Sequence, residues 1–192
     1  MIRCATDADV AAMLGIYAPY IKETSITFEY DVPSPEQFAQ RFRGISARYP
    51  WLVWEEDGRI LGYAYADTAF VRAAYAWDAD MSVYLDRDAR GRGIGSALYG
   101  CLEEILRNYG YHNLYALITA DNLPSVRFHE KRGYVRLGTL VRSGWKVGKW
   151  HDVDWLGLRL RPAEAPGEAP GAFACTQQDL EVMAFFSREE GK

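Results

Sequence analysis

The chain has 192 residues, 49% apolar and 25% charged, enough for one globular domain with a sizeable core and too few for several. That balance excludes disordered and collagen-like classes. Acidic residues outnumber basic ones 26 to 22, a net charge of −4, which argues against bulk attraction to nucleic acid or an anionic membrane. Pro162–Lys192 holds six acidic and two basic residues, so residues 1–161 carry 20 of each sign. The three cysteines, Cys4, Cys101 and Cys175, are odd in number and widely spaced, which offers neither a disulfide framework nor a metal knuckle and fits a reducing compartment. The first residues lack the apolar stretch of a signal peptide, and no 18 apolar residues run together, so the expectation is a soluble cytoplasmic protein.

Thr6 with Asp9 reads as a capping box, and Val10, Met13, Leu14, Tyr17 and Ile21 then keep helical spacing. Ser34 and Pro35 open a second helix marked by Phe38, Phe42 and Ile45 and stopped at Tyr49-Pro50. Asp57-Gly58 is a hairpin turn between strands 51–55 and 59–67. A strand over 79–85 leads into a glycine-rich run. The helix that follows shows Ala97, Leu98, Cys101, Leu102, Ile105 and Leu106 on one face and ends at Gly110. A strand over 114–119, a helix over 123–132 and strands over 134–141 and 153–160 complete a mixed α/β domain spanning 1–161. Residues 162–192 form a Pro/Ala/Glu linker and a tail, in which 177–187 carries a helical pattern that either docks or frays.

Arg90-Gly91-Arg92-Gly93-Ile94-Gly95 lies between a strand and a long helix. Glycines there let backbone N–H groups approach a phosphate, and the helix N-terminus adds positive potential. A dinucleotide-binding loop would use the same junction, but Ser96 stands at its third glycine and no βαβ unit precedes it.

Arg90-x-x-Gly93-x-Gly95 resembles the Gln/Arg-x-x-Gly-x-Gly/Ala signature of the GNAT acetyltransferases, and the element order is similar to that family's from about Ile2 to Leu160. Ser82-Val83-Tyr84-Leu85, the block from Asn122 to Glu130, and Lys149-Trp150-His151-Asp152 resemble its phosphinothricin and methionine sulfoximine acetyltransferase branch. The resemblance implies an α/β (α+β) GNAT fold: a mostly antiparallel central sheet with a V-shaped splay and helices on both faces. It implies acetyl-CoA as donor, the amine of a small amino-acid-like acceptor, no metal, and a homodimer.

By the same resemblance, Val83 and Leu85 bind the pantetheine arm through backbone groups, while Arg90, Gly91, Arg92, Gly93, Gly95 and Ser96 surround the diphosphate. Asn122 and Ser125 contact the cofactor arm. Asp80 stands where the branch carries a glutamate base, with Glu29 as the next candidate, since an ammonium group must lose a proton before it can attack. His129 occupies the position of the group that protonates the departing thiolate in many relatives; acid, base and pure hydrogen-bonding roles stay open for it. Phe28, Arg72, Tyr75 and Trp77 are the expected acceptor-binding residues, an arginine with aromatics suiting a carboxylate on a short aliphatic chain. The rival readings are acetylation of a polypeptide N-terminus or a polyamine, and an acyl-CoA sensor without turnover.

Overall fold

The computed structural model describes residues 1–162 and 165–189. Its elements in chain order are β1 (Ile2–Cys4), α1 (Val10–Glu23), α2 (Pro35–Ser46), β2 (Trp51–Glu56), β3 (Arg59–Thr68), β4 (Asp78–Leu85) and α3 (Ile94–Asn108). They continue with β5 (Asn113–Thr119), α4 (Leu123–Lys131), β6 (Val135–Lys146), β7 (Lys149–Arg159) and α5 (Gln177–Glu189). Local chemistry accounts for the helix starts. The Thr6 amide donates to Asp9 Oδ2 at 2.8 Å, and Ser34 and Gln37 exchange side-chain to backbone bonds ahead of α2. Asp57 and Gly58 adopt φ of 50° and 73°, the doubly left-handed turn that suits a two-residue hairpin.

The seven strands form one sheet in the order β1-β2-β3-β4-β5-β7-β6, antiparallel except for β4 and β5. These two pair only over Asp78–Asp80 and Asn113–Tyr115, then separate, although β4 runs on to Leu85 and β5 to Thr119. The inner edge of β4 is therefore open beyond Asp80. Period-2 alternation sends side chains to two cores. Leu98, Leu102, Ile105 and Leu106 of α3 pack with Leu52, Ala64 and Met81 on one face; Met13, Phe38 and Phe42 of α1 and α2 pack with Trp51, Val53 and Tyr63 on the other.

Two features differ from the sequence expectation, and a third decides between alternatives it left open. The first strand, β1, is an addition, because three residues are too few for a periodic signal; it pairs with β2 through Arg3↔Val53. The last hairpin is longer than expected: β6 and β7 meet at Val147-Gly148, both with positive φ. Register shifts at Arg136/Gly138 and Leu140/Gly144, with Arg142 at φ 49°, break the alternation that would mark residues 142–152 as strand. Of the two alternatives for 177–187, the structure has the docked helix. Met183 is 2% exposed, and the Phe186 ring fills the space over Gly100, where a Cβ would come within 2.7 Å of it. The Ile2 amide donates to Ser187 Oγ at 2.7 Å, fastening α5 to β1.

Candidate active site

The gap between β4 and β5 opens into a cleft of about 530 Å³. Nine residues expected around a cofactor line it: Val83 and Leu85 from β4, Arg90, Gly91, Gly93, Gly95 and Ser96 from the loop and the start of α3, and Asn122 and Ser125 at the start of α4. The tenth, Arg92, is not in the lining; its guanidinium pairs with Glu56 at 2.8 and 2.9 Å. Gly91 and Gly93 have φ of 75° and 80°, so the loop relies on conformations that L side chains adopt at a cost. Gly93 caps α3 without a side-chain hydrogen bond, and its carbonyl accepts from Ser96 and Ala97, which leaves the Ile94 and Gly95 amides to an incoming anion.

The β3–β4 ladder decides which β4 groups face the cleft. The Asp86 amide donates to Leu61 O, and the register pairs Tyr84 with Tyr63 and Ser82 with Tyr65. Backbone groups of 82, 84 and 86 thus point to β3, and those of 81, 83 and 85 point into the gap. At Leu85 both groups are already engaged. The Tyr20 hydroxyl donates to Leu85 O at 2.7 Å and accepts from its amide at 3.1 Å, while the Arg90 guanidinium lies 5.0 Å from the Tyr20 ring centroid. Sequence reasoning missed Tyr20. Its only signal is its place three residues beyond Tyr17 on the buried side of α1.

Side chains of Asp80, Ser82 and Tyr84 project to the opposite face, under α1 and the loop before α2, so cofactor and acceptor would approach the gap from different sides. Asp80 Oδ1 is buried without a hydrogen-bond partner. Burial, with the Asp67 carboxylate across the ladder, pushes the Asp80 pKa up to about 7, despite a backbone hydrogen bond from Met81. Glu29 is in a different condition. Arg41 grips it at 2.7 and 3.1 Å and Tyr17 donates at 2.8 Å; burial would raise its pKa, but these partners hold it below the usual value. Glu29 is therefore a fixed anion and a weak base.

The loop from Thr24 to Ser34 is strapped to the β6–β7 hairpin. Lys146 Nζ donates to Thr27 O at 2.6 Å, the Tyr30 hydroxyl donates to Trp145 O, and the Phe28 ring lies over Gly144, where any Cβ would overlap it. His151 stands beside Phe28, its Nδ1 3.1 Å from Asp121 and its Nε2–H on Lys146 O at 3.0 Å. Tyr75, 42% exposed, packs at a tilt against Phe70, which also meets Tyr115 and Trp155, and Arg72, three residues before Tyr75, is exposed. Trp77 does not join this group: its indole N–H donates to Glu168 O at 3.3 Å, in the segment leading to α5. Gly144→Ala is expected to push Phe28 aside. Such overpacking costs roughly 1–3 kcal/mol, so steady-state kinetics would show KM for the amine rising about ten-fold with KM for acetyl-CoA unchanged.

His129, 3% exposed, uses both ring nitrogens internally. Nδ1–H donates to Ser125 O at 2.8 Å and Nε2 accepts from the Tyr99 hydroxyl at 2.8 Å. Burial lowers its pKa to about 4, with the Arg132 charge adding to the effect against the Ser125 hydrogen bond. The imidazole is uncharged at neutral pH, so a proton-donating imidazolium is scarcely populated. Among the described residues no group of three or more His, Cys, Asp or Glu could hold a metal ion, and no helix is long and apolar enough to cross a membrane.

A glycine loop at a helix start, an open strand edge beside it, and a desolvated carboxylate on the far face define a site for acyl transfer from a thioester carried on a phosphate-bearing arm. The sequence model of the acetyltransferase (GNAT) domain matches residues 2–155, and the chain belongs to that family; it is an acyltransferase that uses acetyl-CoA. Within the family it is 39% identical to a phosphinothricin N-acetyltransferase of Streptomyces viridochromogenes over 165 residues, 86% of this chain and 88% of that one. It is 31% identical to an L-methionine sulfoximine/L-methionine sulfone acetyltransferase of Pseudomonas paraeruginosa, covering 85% of this chain and 96% of that one. The crystal structure of a GNAT superfamily phosphinothricin acetyltransferase from Sinorhizobium meliloti with acetyl-CoA superposes with a TM-score of 0.85 at 32% identity, covering 88% of this chain and 94% of that one.

Proposed function

We propose that the protein transfers acetyl from acetyl-CoA to the primary amine of a small, carboxylate-bearing acceptor of the phosphinothricin or methionine sulfoximine type. The observation that carries this reading is Asp80, a carboxyl whose pKa of about 7 suits proton removal at neutral pH, on the face opposite the cofactor cleft. The ammonium proton passes to Asp80, directly or through water. The freed nitrogen lone pair attacks the thioester carbonyl carbon, the nitrogen of the tetrahedral adduct loses its second proton to solvent, and the adduct collapses as the C–S bond breaks to release a thiolate with a pKa near about 8.5. No covalent enzyme intermediate and no metal is required. His129, neutral and doubly bonded, positions α4 against Tyr99 of α3, and the proton reaching the thiolate comes from solvent or from protonated Asp80.

Arg90, the glycines and the amides of Ile94 and Gly95 hold the diphosphate, and Val83 pairs with the pantetheine arm. Arg72 and Tyr75 meet the acceptor's carboxylate and chain, Phe28 closes the acceptor side, and Trp77 supports the wall from outside. Residues 1–161 form the catalytic domain, and α5 braces it. The protein acts as a cytoplasmic homodimer without nucleic acid or membrane partners. Three free thiols support the reducing location, and Val135, Leu137, Leu140 and Val141, exposed along the outermost strand β6, support pairing with a second copy.

The test is amine-dependent release of CoA thiol with phosphinothricin, methionine sulfoximine, proteinogenic amino acids, polyamines and a short peptide as acceptors. Turnover confined to the amino acid analogues is expected. Faster turnover of a polyamine or peptide would overturn the acceptor class, and binding of acetyl-CoA with no turnover of any amine would favour a sensor.

A further inference from the structure

Asp67 has no place in the family-like site, yet the β3–β4 register sets it directly across from Asp80. Opposed residues of an antiparallel pair project to the same face with Cβ atoms about 5 Å apart, and like charges so placed repel. A cation would ordinarily relieve such a pair. Among the described residues neither carboxylate has a salt bridge: the nearby anion Glu29 takes Arg41, and Lys146 is spent on Thr27 O. The titratable groups around Asp80 are Asp67 and Tyr65 from β3, Asp78 from its own strand, Tyr115 from β5 and Tyr99 from α3, with Ser82 beside it on β4; none is basic. Asp67 is held in place by accepting the Thr68 amide at 2.7 Å, while Asp80 Oδ1 is buried and unpartnered.

We propose that Asp67 is a positioning residue for acetyl transfer, the opposed like charge that adds to burial in making Asp80 a strong enough base to take a proton from an incoming ammonium group at neutral pH. The proposal rests on Asp80 being the base. An ordinary aspartate, with a pKa near about 4, is a poor acceptor for a proton bound at about 9. Raising its basicity narrows that gap, and the arriving cation meets two carboxylates instead of one. The N–H bond breaks, the proton moves to Asp80, and the electron pair left on nitrogen forms the new N–C bond. Asp67 itself exchanges no proton and touches no reacting atom.

The experiment is the pH profile of kcat/KM for the full chain and for Asp67→Asn, Asp67→Glu and Asp80→Asn, with carbon-13 NMR of the Asp80 carboxyl as a readout independent of turnover. In Asp67→Asn the acid limb and the NMR midpoint are both expected to move to lower pH. A drop from about 7 to about 6 would raise activity at pH 6, relative to each enzyme's own plateau, about five-fold. Asp67→Glu should restore the parental midpoint. An unchanged NMR midpoint in Asp67→Asn overturns the proposal, as does a uniform loss of activity at every pH with the limb in place. If Asp80→Asn keeps full activity and the same acid limb, the assignment of the base fails instead, and the NMR midpoints still report whether Asp67 governs Asp80.

Discussion

Replacing Asp80 by asparagine is expected to lower kcat by about 10²- to 10⁴-fold, the usual contribution of a general base, while acetyl-CoA binding measured by calorimetry stays within roughly two-fold of the parent. The side chain is isosteric and leaves the α3 face of β4, where the cleft lies, untouched. The parental profile of kcat/KM should fall below pH about 7, as protonation removes the base, and that limb should vanish from the residual activity of the variant. The same substitution has an opposite effect on stability. Burial, aided by Asp67, raises the folded-state pKa of Asp80 to about 7, above the unfolded value near about 3.9, so the folded protein binds the extra proton between those limits. Relative to asparagine, stability is therefore fully present below pH about 4 and is lost as pH rises through about 7. Thermal melts should show Asp80→Asn more stable than the parent at pH 8 and little different at pH 4. Equal melting shifts at both pH values would mean that Asp80 is not desolvated as described, and undiminished turnover would remove it from the mechanism.

Gly93→Val is expected to raise KM for acetyl-CoA about 10- to 100-fold. Gly93 sits at φ 80° where the loop enters α3, and a β-branched residue forced into that region costs on the order of 1–3 kcal/mol. Relief of that strain would rotate the Ile94 and Gly95 amides, the donors proposed for the diphosphate, and place a branched side chain in the lining of the cleft. Gly58→Val is the matched control. It has a similar φ of 73° in the β2–β3 turn, with no atom within 4 Å of a Cβ, and lies outside the cofactor cleft. It should lose melting temperature and keep its KM. An equal rise of KM in both variants would assign the Gly93 effect to global destabilisation.

Much of the architecture is legible in the amino-acid sequence. Helix starts at Thr6 and Ser34, the Asp57-Gly58 turn and the apolar face of α3 are local signals, each set by hydrogen bonding or periodicity within a few residues. The glycine loop is legible for the same reason, because its φ values, its charge and its position before a helix are all properties of one short segment. Other features have no such signature. Arg92 reads like Arg90 in sequence, but Glu56, 36 residues earlier, takes it away from the cleft. Trp77 reads as an acceptor-site aromatic, but the chain returns from Glu168 to bond it. Glu29 and Asp80 are both carboxylates near the site. Arg41 fixes one as an anion while burial beside Asp67 makes the other basic, a distinction set by neighbours that only folding supplies.

The sequence by itself determined the order of elements from α1 to β7 and the glycine-rich anion loop, because these follow from short-range spacing, and through family resemblance it implied the two-faced sheet and most of the site residues. Tertiary structure alone decided where β4 and β5 part, that Tyr20 engages the last edge groups of β4, that His129 is a neutral ring bonded on both sides, and that Asp67 confronts Asp80. Each of these depends on at least one contact between segments 13 or more residues apart, and on a local dielectric that exists only once the chain has excluded water from around them.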